Sequence, residues 1–319
     1  MRRRAALTAL FLGLCWSLTG QCADKYPTRA VDFICPFGTG GSSDATNRVI
    51  TDYLKNVWKV PVNMVSNPGG ATVPASLEIY NAAPDGYTLL ADTSATSMLP
   101  IAVREVPFDV LERTFIATIF SFPQIFVVPA NSPIKNMQDL ADAAKKSPET
   151  FTWTSMGGTG SQDFTARQFF KAIGVDVSKT KPVVGKGGGD AATLTAGGHV
   201  VMGIVAPNTG APLIKGGMMV PLSITSDKRI PMYPDVPTTA EVGYPTVNFG
   251  QWGGVSGPPK TSPEIIETWD KAVQDMIKDP QFVSKLDSMG VLITYRNGKD
   301  TKEFVIKETA EAKELWGVK

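Results

Sequence analysis

Two stretches of the chain could hold an anion without any cationic side chain. One reads Phe33-Ile-Cys-Pro-Phe-Gly38-Thr-Gly-Gly-Ser-Ser-Asp44-Ala-Thr-Asn-Arg48, the other Phe151-Thr-Trp-Thr-Ser-Met-Gly157-Gly-Thr-Gly-Ser-Gln-Asp163-Phe-Thr-Ala-Arg167. In each, a predicted strand leads into glycines, then serine, then aspartate, directly ahead of a helical pattern, with arginine four residues after the aspartate. Glycines let the backbone approach a ligand closely. A serine (Ser42 or Ser43; Ser161) can cap the helix while the remaining N–H groups of its first turn point outward. With the helix dipole, those groups form an anion site. Either loop alone reads equally well as a tight βα turn. Two such loops, roughly 120 residues apart, fit two helix N-termini facing each other across a cleft around a carboxylate.

Neither loop completes GxGxxG, because Ser43 and Asp163 stand at the final glycine positions, and no GK[ST] follows either; dinucleotide and nucleotide binding are disfavoured. A third glycine stretch, Val183-Val-Gly-Lys-Gly-Gly-Gly-Asp190, precedes the helical segment 191–196, where Lys186 reads as a solvated loop lysine or as a ligand cation. Asn208, after the apolar run 200–205, offers a neutral hydrogen-bonding group. His199 is the one histidine of the chain, which leaves little for general-base chemistry or a multi-histidine metal site. No CxxC, HExxH or GxSxG is present, so no catalytic residue, metal or cofactor is nominated.

The elements that must position these loops alternate short apolar runs with longer amphipathic stretches, an α/β pattern. Strands are predicted over 31–35, 62–65, 87–91, 125–128, 151–154, 200–205 and 222–225. Ser262-Pro263 marks a helix start, Ile265, Ile266, Trp269, Val273 and Ile277 form its apolar face, and Pro280 is expected to end it. Asn136 reads as a cap three residues before Asp139, and Phe304, Val305, Ala312, Leu315 and Trp316 predict a C-terminal helix.

Residues 1–23 read as a secretory signal: Arg2, Arg3 and Arg4 precede an apolar run to about Leu18, then small and polar residues. That run is shorter than the roughly 20 residues a bilayer span needs. Cleavage after Cys22 or Ala23 is expected, with lipidation of Cys22 as the alternative. The remaining chain then carries 28 basic and 30 acidic residues, a formal charge of −2, which gives no footprint for nucleic acid. Cys35 would be its single cysteine, read as a buried structural thiol.

At these residues the chain resembles the substrate-binding receptors of the tripartite tricarboxylate transporter family, also called Bug-type receptors. The resemblance rests on Pro36-Phe-Gly-Thr-Gly-Gly-Ser-Ser-Asp44, Asn67-Pro-Gly-Gly70, Pro84-Asp-Gly-Tyr-Thr-Leu-Leu90, Ser155-Met-Gly-Gly-Thr-Gly-Ser161, Thr195-Ala-Gly-Gly-His-Val200, Ile224-Thr-Ser-Asp-Lys-Arg229 and Pro234-Asp-Val-Pro-Thr238. It implies an α/β, two-lobed periplasmic binding protein fold (a Venus flytrap, type II-like) with two hinge-crossing strands. The expected division is a first lobe of residues 24–122 plus 226–319 and a second of 123–225. It further implies a periplasmic monomer that closes on a small organic acid and passes it to the membrane subunits of the transporter. A ligand-sensing module and an α/β enzyme acting on small carboxylic acids remain alternatives. The sequence departs from the family's pattern at Asp163-Phe164, where a histidine-leucine pair is common, and at Gly38-Thr39, where many relatives carry prolines. The candidate ligand contacts are Phe37, Gly38, Thr39, Gly40, Gly41, Ser42 and Asp44 in the first loop, and Thr93 and Ser94 after strand 87–91. Ser155, Gly158, Thr159, Gly160, Ser161 and Asp163 are the candidates in the second loop, with Asn208 beyond it.

Overall fold

A computed structural model describes residues 26–39, 42–98, 106–158, 160–185 and 187–318. The expected signal segment, Gly40, Gly41, Thr159 and Lys186 lie outside the described residues. The first lobe is built on a six-stranded sheet. Its strands are β1 (Val31–Cys35), β2 (Val62–Ser66), β3 (Thr88–Thr93), β4 (Thr114–Pro123), β10 (Gly250–Gly257) and β11 (Leu292–Asn297), in the order β11-β4-β10-β3-β1-β2. β1 runs parallel to β2 and β3, while β10 and β11 pair antiparallel with their neighbours.

Strand periodicity sends alternate residues of β1 and β3 to opposite faces. Phe33 and Leu89 pack under α1 (Ser42–Trp58), α8 (Pro263–Met276) and α9 (Pro280–Ser288), whereas Ile34 and Leu90 pack under α2 (Val73–Asn81). The sheet is therefore covered on both faces, which is why Phe33, Ile34 and Cys35 of β1 are apolar without alternation. Near the middle of the sheet β10 is glycine-rich because nothing larger fits. A Cβ on Gly253 would lie 2.1 Å from the Phe120 ring, and one on Gly254 would lie 2.1 Å from the Ala117 carbonyl oxygen.

β4 leads through Gln124 into β5 (Ile125–Pro129), the central strand of the second lobe. There β5 pairs antiparallel with β8 (Gly203–Val205) and β9 (Met219–Ile224), while β6 (Thr152–Ser155) pairs parallel with β7 (Lys181–Val184). A bridge between Trp153 and Met202 links the two small sheets. One face of β5, through Phe126 and Val128, packs with α4 (Met137–Lys146) and α5 (Ser161–Ile173). Ile125 and Val127 face Ala191 and Ala192 of α6 (Gly188–Ala196) and the partly buried Ala211 and Ile214 of α7 (Pro207–Lys215).

The segment that follows Ser226 packs on the cores around β5. Ile230, Tyr233 and Val236 belong to the core around Ile125 and Val127, and Val247 belongs to the core around Phe126. The chain joins the first sheet only at Gly250, where β10 begins. The apolar residues of 227–249 lie in loops without periodicity, so nothing local reveals which core they enter. Other differences are local. Pro280 does not simply end a helix; it opens α9, capped by the Asp279 carboxylate accepting from the Gln281 and Phe282 N–H groups, as proline at a first helical position allows. The caps at Asn136 and Ser262 form as expected, and the C-terminal helix spans Gly298–Trp316 (α10).

The first lobe holds a buried ion pair. Arg113, 4% exposed, donates from Nε to Asp92 Oδ2 at 2.8 Å and from Nη2 to Oδ1 at 3.2 Å, and to the Ser97 hydroxyl at 2.7 Å. Asp92, 2% exposed, also accepts from the Thr93 N–H at 2.8 Å. Removing one partner of such a pair leaves an uncompensated buried charge. Arg113→Ala is therefore expected to lower the unfolding free energy by about 3–5 kcal/mol, measured by urea denaturation. A loss below about 1 kcal/mol would mean that Asp92 is already satisfied without the guanidinium.

Candidate functional site

The βα connections of both lobes end at one cleft of about 790 Å³. Ser42 and Ser43 at the start of α1 line its first-lobe side, together with Phe37, Gly38 and Thr39. Opposite stand Ser161 and Gln162 at the start of α5, Gly188 and Gly189 at the start of α6, and Asn208 and Thr209 in the first turn of α7. Four helix N-termini thus converge, because the strand-helix units turn at one edge of their sheets. Among the described lining residues none carries a charge. The free N–H groups and dipoles of those helices are the available positive field.

The two sides already touch. The Ser42 hydroxyl donates to Asn208 Oδ1 at 3.0 Å, and the same oxygen accepts from the Thr209 N–H at 2.8 Å. Phe122, Gln124 and Gln251 form the floor where the chain crosses between lobes, and Gln251 Nε2 lies 3.5 Å from the Thr93 hydroxyl. Met156, 39% exposed, gives the cleft an apolar wall with Phe37 and Pro212. Gln162 is 3% exposed and lines the cleft, yet its Oε1 has no partner among the described residues. That oxygen is an acceptor in want of a donor, which ordinarily costs about 1–3 kcal/mol when left unmet.

Several expected contacts have other work. Asp163, 1% exposed, turns back into its own loop: Oδ1 accepts the Ser155 hydroxyl at 2.5 Å, and Oδ2 accepts the Met156 and Gly160 N–H groups at 2.9 and 3.1 Å. Of the readings open for Asp163, a ligand contact or a cap of its own helix, this geometry supports the cap, and with Ser155 it builds the loop. Gly157 and Gly158 there take φ of +90° and +111°, a region glycine tolerates. A Cβ on Gly160 would lie 2.4 Å from that of Met156. The Gly158 carbonyl accepts the Trp316 indole N–H at 2.5 Å, so α10 pins the loop from outside. Asp44, 4% exposed, accepts from Arg48 Nε at 3.0 Å. Asp44, Thr93, Ser94 and Gly158 do not line the cleft; the first three are buried behind it. Cys35 is fully buried, and burial pushes its thiol pKa up, as befits a structural thiol. His199 is an exposed residue after α6.

Sequence reasoning missed Met156, Gln162 and the floor residues Phe122, Gln124 and Gln251. Gln162 had a usable signal, its place in the first turn beside Ser161. The floor residues had none, since only tertiary pairing sets Gln251 opposite Phe122.

Two α/β lobes joined by crossing strands, with helix N-termini facing across the cleft, define the fold of the periplasmic binding proteins. A solved periplasmic transporter superposes with a TM-score of 0.79 at 25% identity, covering 91% of this chain and 97% of its own. An R. palustris protein solved with adipate gives 0.79 at 24%, with the same coverage, and MatC from Rhodopseudomonas palustris, with bound malate, gives 0.75 at 22%, covering 91% of this chain and all of its own. The family model of the tripartite tricarboxylate transporter family receptor matches residues 46–317. The chain belongs to that family of solute-binding receptors. A Cupriavidus necator relative, the UPF0065 protein in the gbd 5′ region, is 29% identical over 312 residues, covering 98% of this chain and 93% of the relative. Protein BugT of Bordetella pertussis is 26% identical over 314 residues, covering 97% and 94%.

If Asp163 builds the loop, Asp163→Ala leaves buried donors unpaired and is expected to cost about 1–3 kcal/mol of stability. Denaturant unfolding checks this. Asp163→Asn is expected to recover most of the loss, because its amide oxygen can take the place of Oδ2 and accept both backbone N–H groups while Nδ2 donates to the Ser155 hydroxyl oxygen. No recovery by asparagine would show that the carboxylate charge, rather than the pattern of hydrogen bonds, holds the loop.

Proposed function

We propose that this receptor captures a small organic carboxylate in the interlobe cleft and delivers it to the membrane subunits of a tripartite tricarboxylate-type transporter. The convergence of four helix N-termini on a cleft whose described lining carries no charged side chain carries the reading. An anion gains there from N–H groups and dipoles held in place by the fold, without the cost of desolvating a buried cation. That the R. palustris fold neighbours hold adipate and malate supports it. The Ser42–Asn208 bond supports a hinge motion that brings the lobes together. We place the first lobe at residues 24–123 plus 250–319 and the second at 124–249, with the core packing of Ile230, Tyr233, Val236 and Val247 as the reason. In this reading residues 1–23 direct export to the periplasm, and the receptor acts as a monomer.

The cleft's described lining also lacks any titratable side chain that could act as general acid or base. We read the site as one for capture without turnover, in keeping with the receptor family to which the chain belongs. The unmet Gln162 Oε1 favours a ligand that carries a hydrogen-bond donor, such as a hydroxyl, besides its carboxylate. The apolar wall of Phe37, Met156 and Pro212 favours an apolar body between the two.

Native mass spectrometry of protein purified from its host is expected to release one small acid, recovered unchanged after incubation. Ligand at about 100 times its Kd should raise the unfolding free energy by about 2.7 kcal/mol, and the corresponding primary amide should bind at least tenfold more weakly by calorimetry. Asn208→Leu is expected to weaken the acid about tenfold or more. Equal affinity for acid and amide would refute the anion clamp, and appearance of a product would refute the receptor reading.

A further inference from the structure

A second cavity, of about 380 Å³, lies behind the strands that floor the cleft. The pleat sets the two back to back. On β4 and β10 the paired residues Phe122 and Gln251 face the cleft, while the flanking pairs Pro123–Gly250 and Ser121–Trp252 face this cavity. The cavity belongs to both lobes. Arg296, Phe304, Lys307 and Glu308 line it from β11 and α10, and Phe164, Asn248 and Phe249 line it from the second lobe.

Its polar groups are unusually short of partners. Arg296 is partly buried, with its guanidinium carbon 4.1 Å from the centre of the Phe304 ring, and that guanidinium makes no hydrogen bond among the described residues. Burial pulls its pKa down, partly offset by Glu308, Asp227 and Asp300. Glu308 is 7% exposed; its Oε2 accepts the Trp252 indole N–H at 2.8 Å, and its Oε1 has no partner among the described residues. The Thr294 hydroxyl in the same wall is also unpartnered there. Burial, with Glu311 and Asp92 nearby, raises the Glu308 pKa to about 8, against the lowering from Trp252 and Arg296. At neutral pH its side chain is therefore an O–H donor. Glu311 is engaged by Gln168 Nε2 at 2.7 Å, and Asp227 and Lys307 are exposed to solvent at the rim. What remains inside is a fork of guanidinium donors, an acid O–H and a hydroxyl, all wanting acceptors.

We propose that this cavity is a second binding site, taking a small monocarboxylate whose two oxygens are held by Arg296 and Glu308. A guanidinium binds a carboxylate through two parallel N–H bonds, and the aromatic walls of Phe164, Trp252 and Phe304 suit a short alkyl tail. Because both lobes line it, the site exists at this interlobe angle. It is independent of the front cleft and does not rest on the ligand read for that cleft. Ionisation of Glu308 would turn the acid donor into a second negative charge, so the site should empty as pH rises through about 8.

The Trp252 indole N–H reports on the cavity alone. In 15N-labelled full-length mature protein, with the signal assigned by Trp252→Phe, propanoate at pH 6.5 is expected to shift that resonance saturably. Affinity should fall at least tenfold at pH 9.5. Arg296→Gln should abolish the shift, and Arg296→Lys should weaken it about tenfold while keeping the fold, which circular dichroism checks. Glu308→Gln, which keeps a donor and an acceptor, should bind at both pH values. A resonance unmoved by propanoate, an unchanged response in both Arg296 variants, or a response to methylammonium instead would overturn the proposal. A pH dependence that survives Glu308→Gln would overturn the role given to Glu308.

Discussion

One hydroxyl holds together the places where the chain passes between lobes. Thr225, 3% exposed, accepts the Gln124 N–H at 2.8 Å and donates to the Phe249 carbonyl at 2.6 Å, while its own N–H reaches the Gln124 carbonyl at 2.9 Å. Gln124 follows the outgoing strand β4, and Phe249 precedes the returning strand β10. A buried polar group fully paired in this way fixes geometry more tightly than apolar contact, which has no direction. The two lobes can meet at a defined angle only if their connecting segments are held in register.

The crossing strands then act as a partition. Their pleat turns Phe122 and Gln251 toward the cleft and Ser121 and Trp252 toward the cavity behind. The glycines of β10 let this partition pack against Phe120 and the Ala117–Thr118 backbone without side chains of its own. A third contact, from outside, steadies the second lobe's loop. Along α10, Glu311 and Glu314 accept from Gln168 and Lys171 of α5, at 2.7 and 2.6 Å, and Trp316 reaches the Gly158 carbonyl. The exposed Lys171–Glu314 pair is worth little. The indole bond and the contact of Phe164 with the Trp316 ring, with centroids 5.6 Å apart, join the lobes more firmly.

The loops themselves show how charge can be arranged around an anion site. Each carries an aspartate, yet neither aspartate is among the described residues that line the cleft. Asp163 satisfies two loop N–H groups and a hydroxyl, and Asp44 meets Arg48 one turn on. Their negative charge is spent on backbone donors and on an arginine at i+4 rather than offered to the ligand. The helix N-termini that remain free are those facing the cleft.

Much of this was legible in the residue order. Glycine, serine and aspartate ahead of a helix are local signals, because a left-handed φ, a cap and a first-turn donor each involve only near neighbours. They placed the two loops, the cap at Asn136 placed α4, and the apolar period placed α8 and α10. The sequence alone could not show which way a side chain turns once the loop closes. Asp163 is as able to face a ligand as to cap its own loop, and only the positions of the Met156 and Gly160 N–H groups decided between them. Nor could it show β10, whose run Gly-Gln-Trp-Gly-Gly-Val-Ser-Gly lacks a strand's composition because the neighbouring strand leaves no room for Cβ atoms. The cleft floor, the cavity behind it and the return of the chain at Gly250 all depend on pairings across more than a hundred residues. Such contacts are set by packing in three dimensions, and no local pattern encodes them.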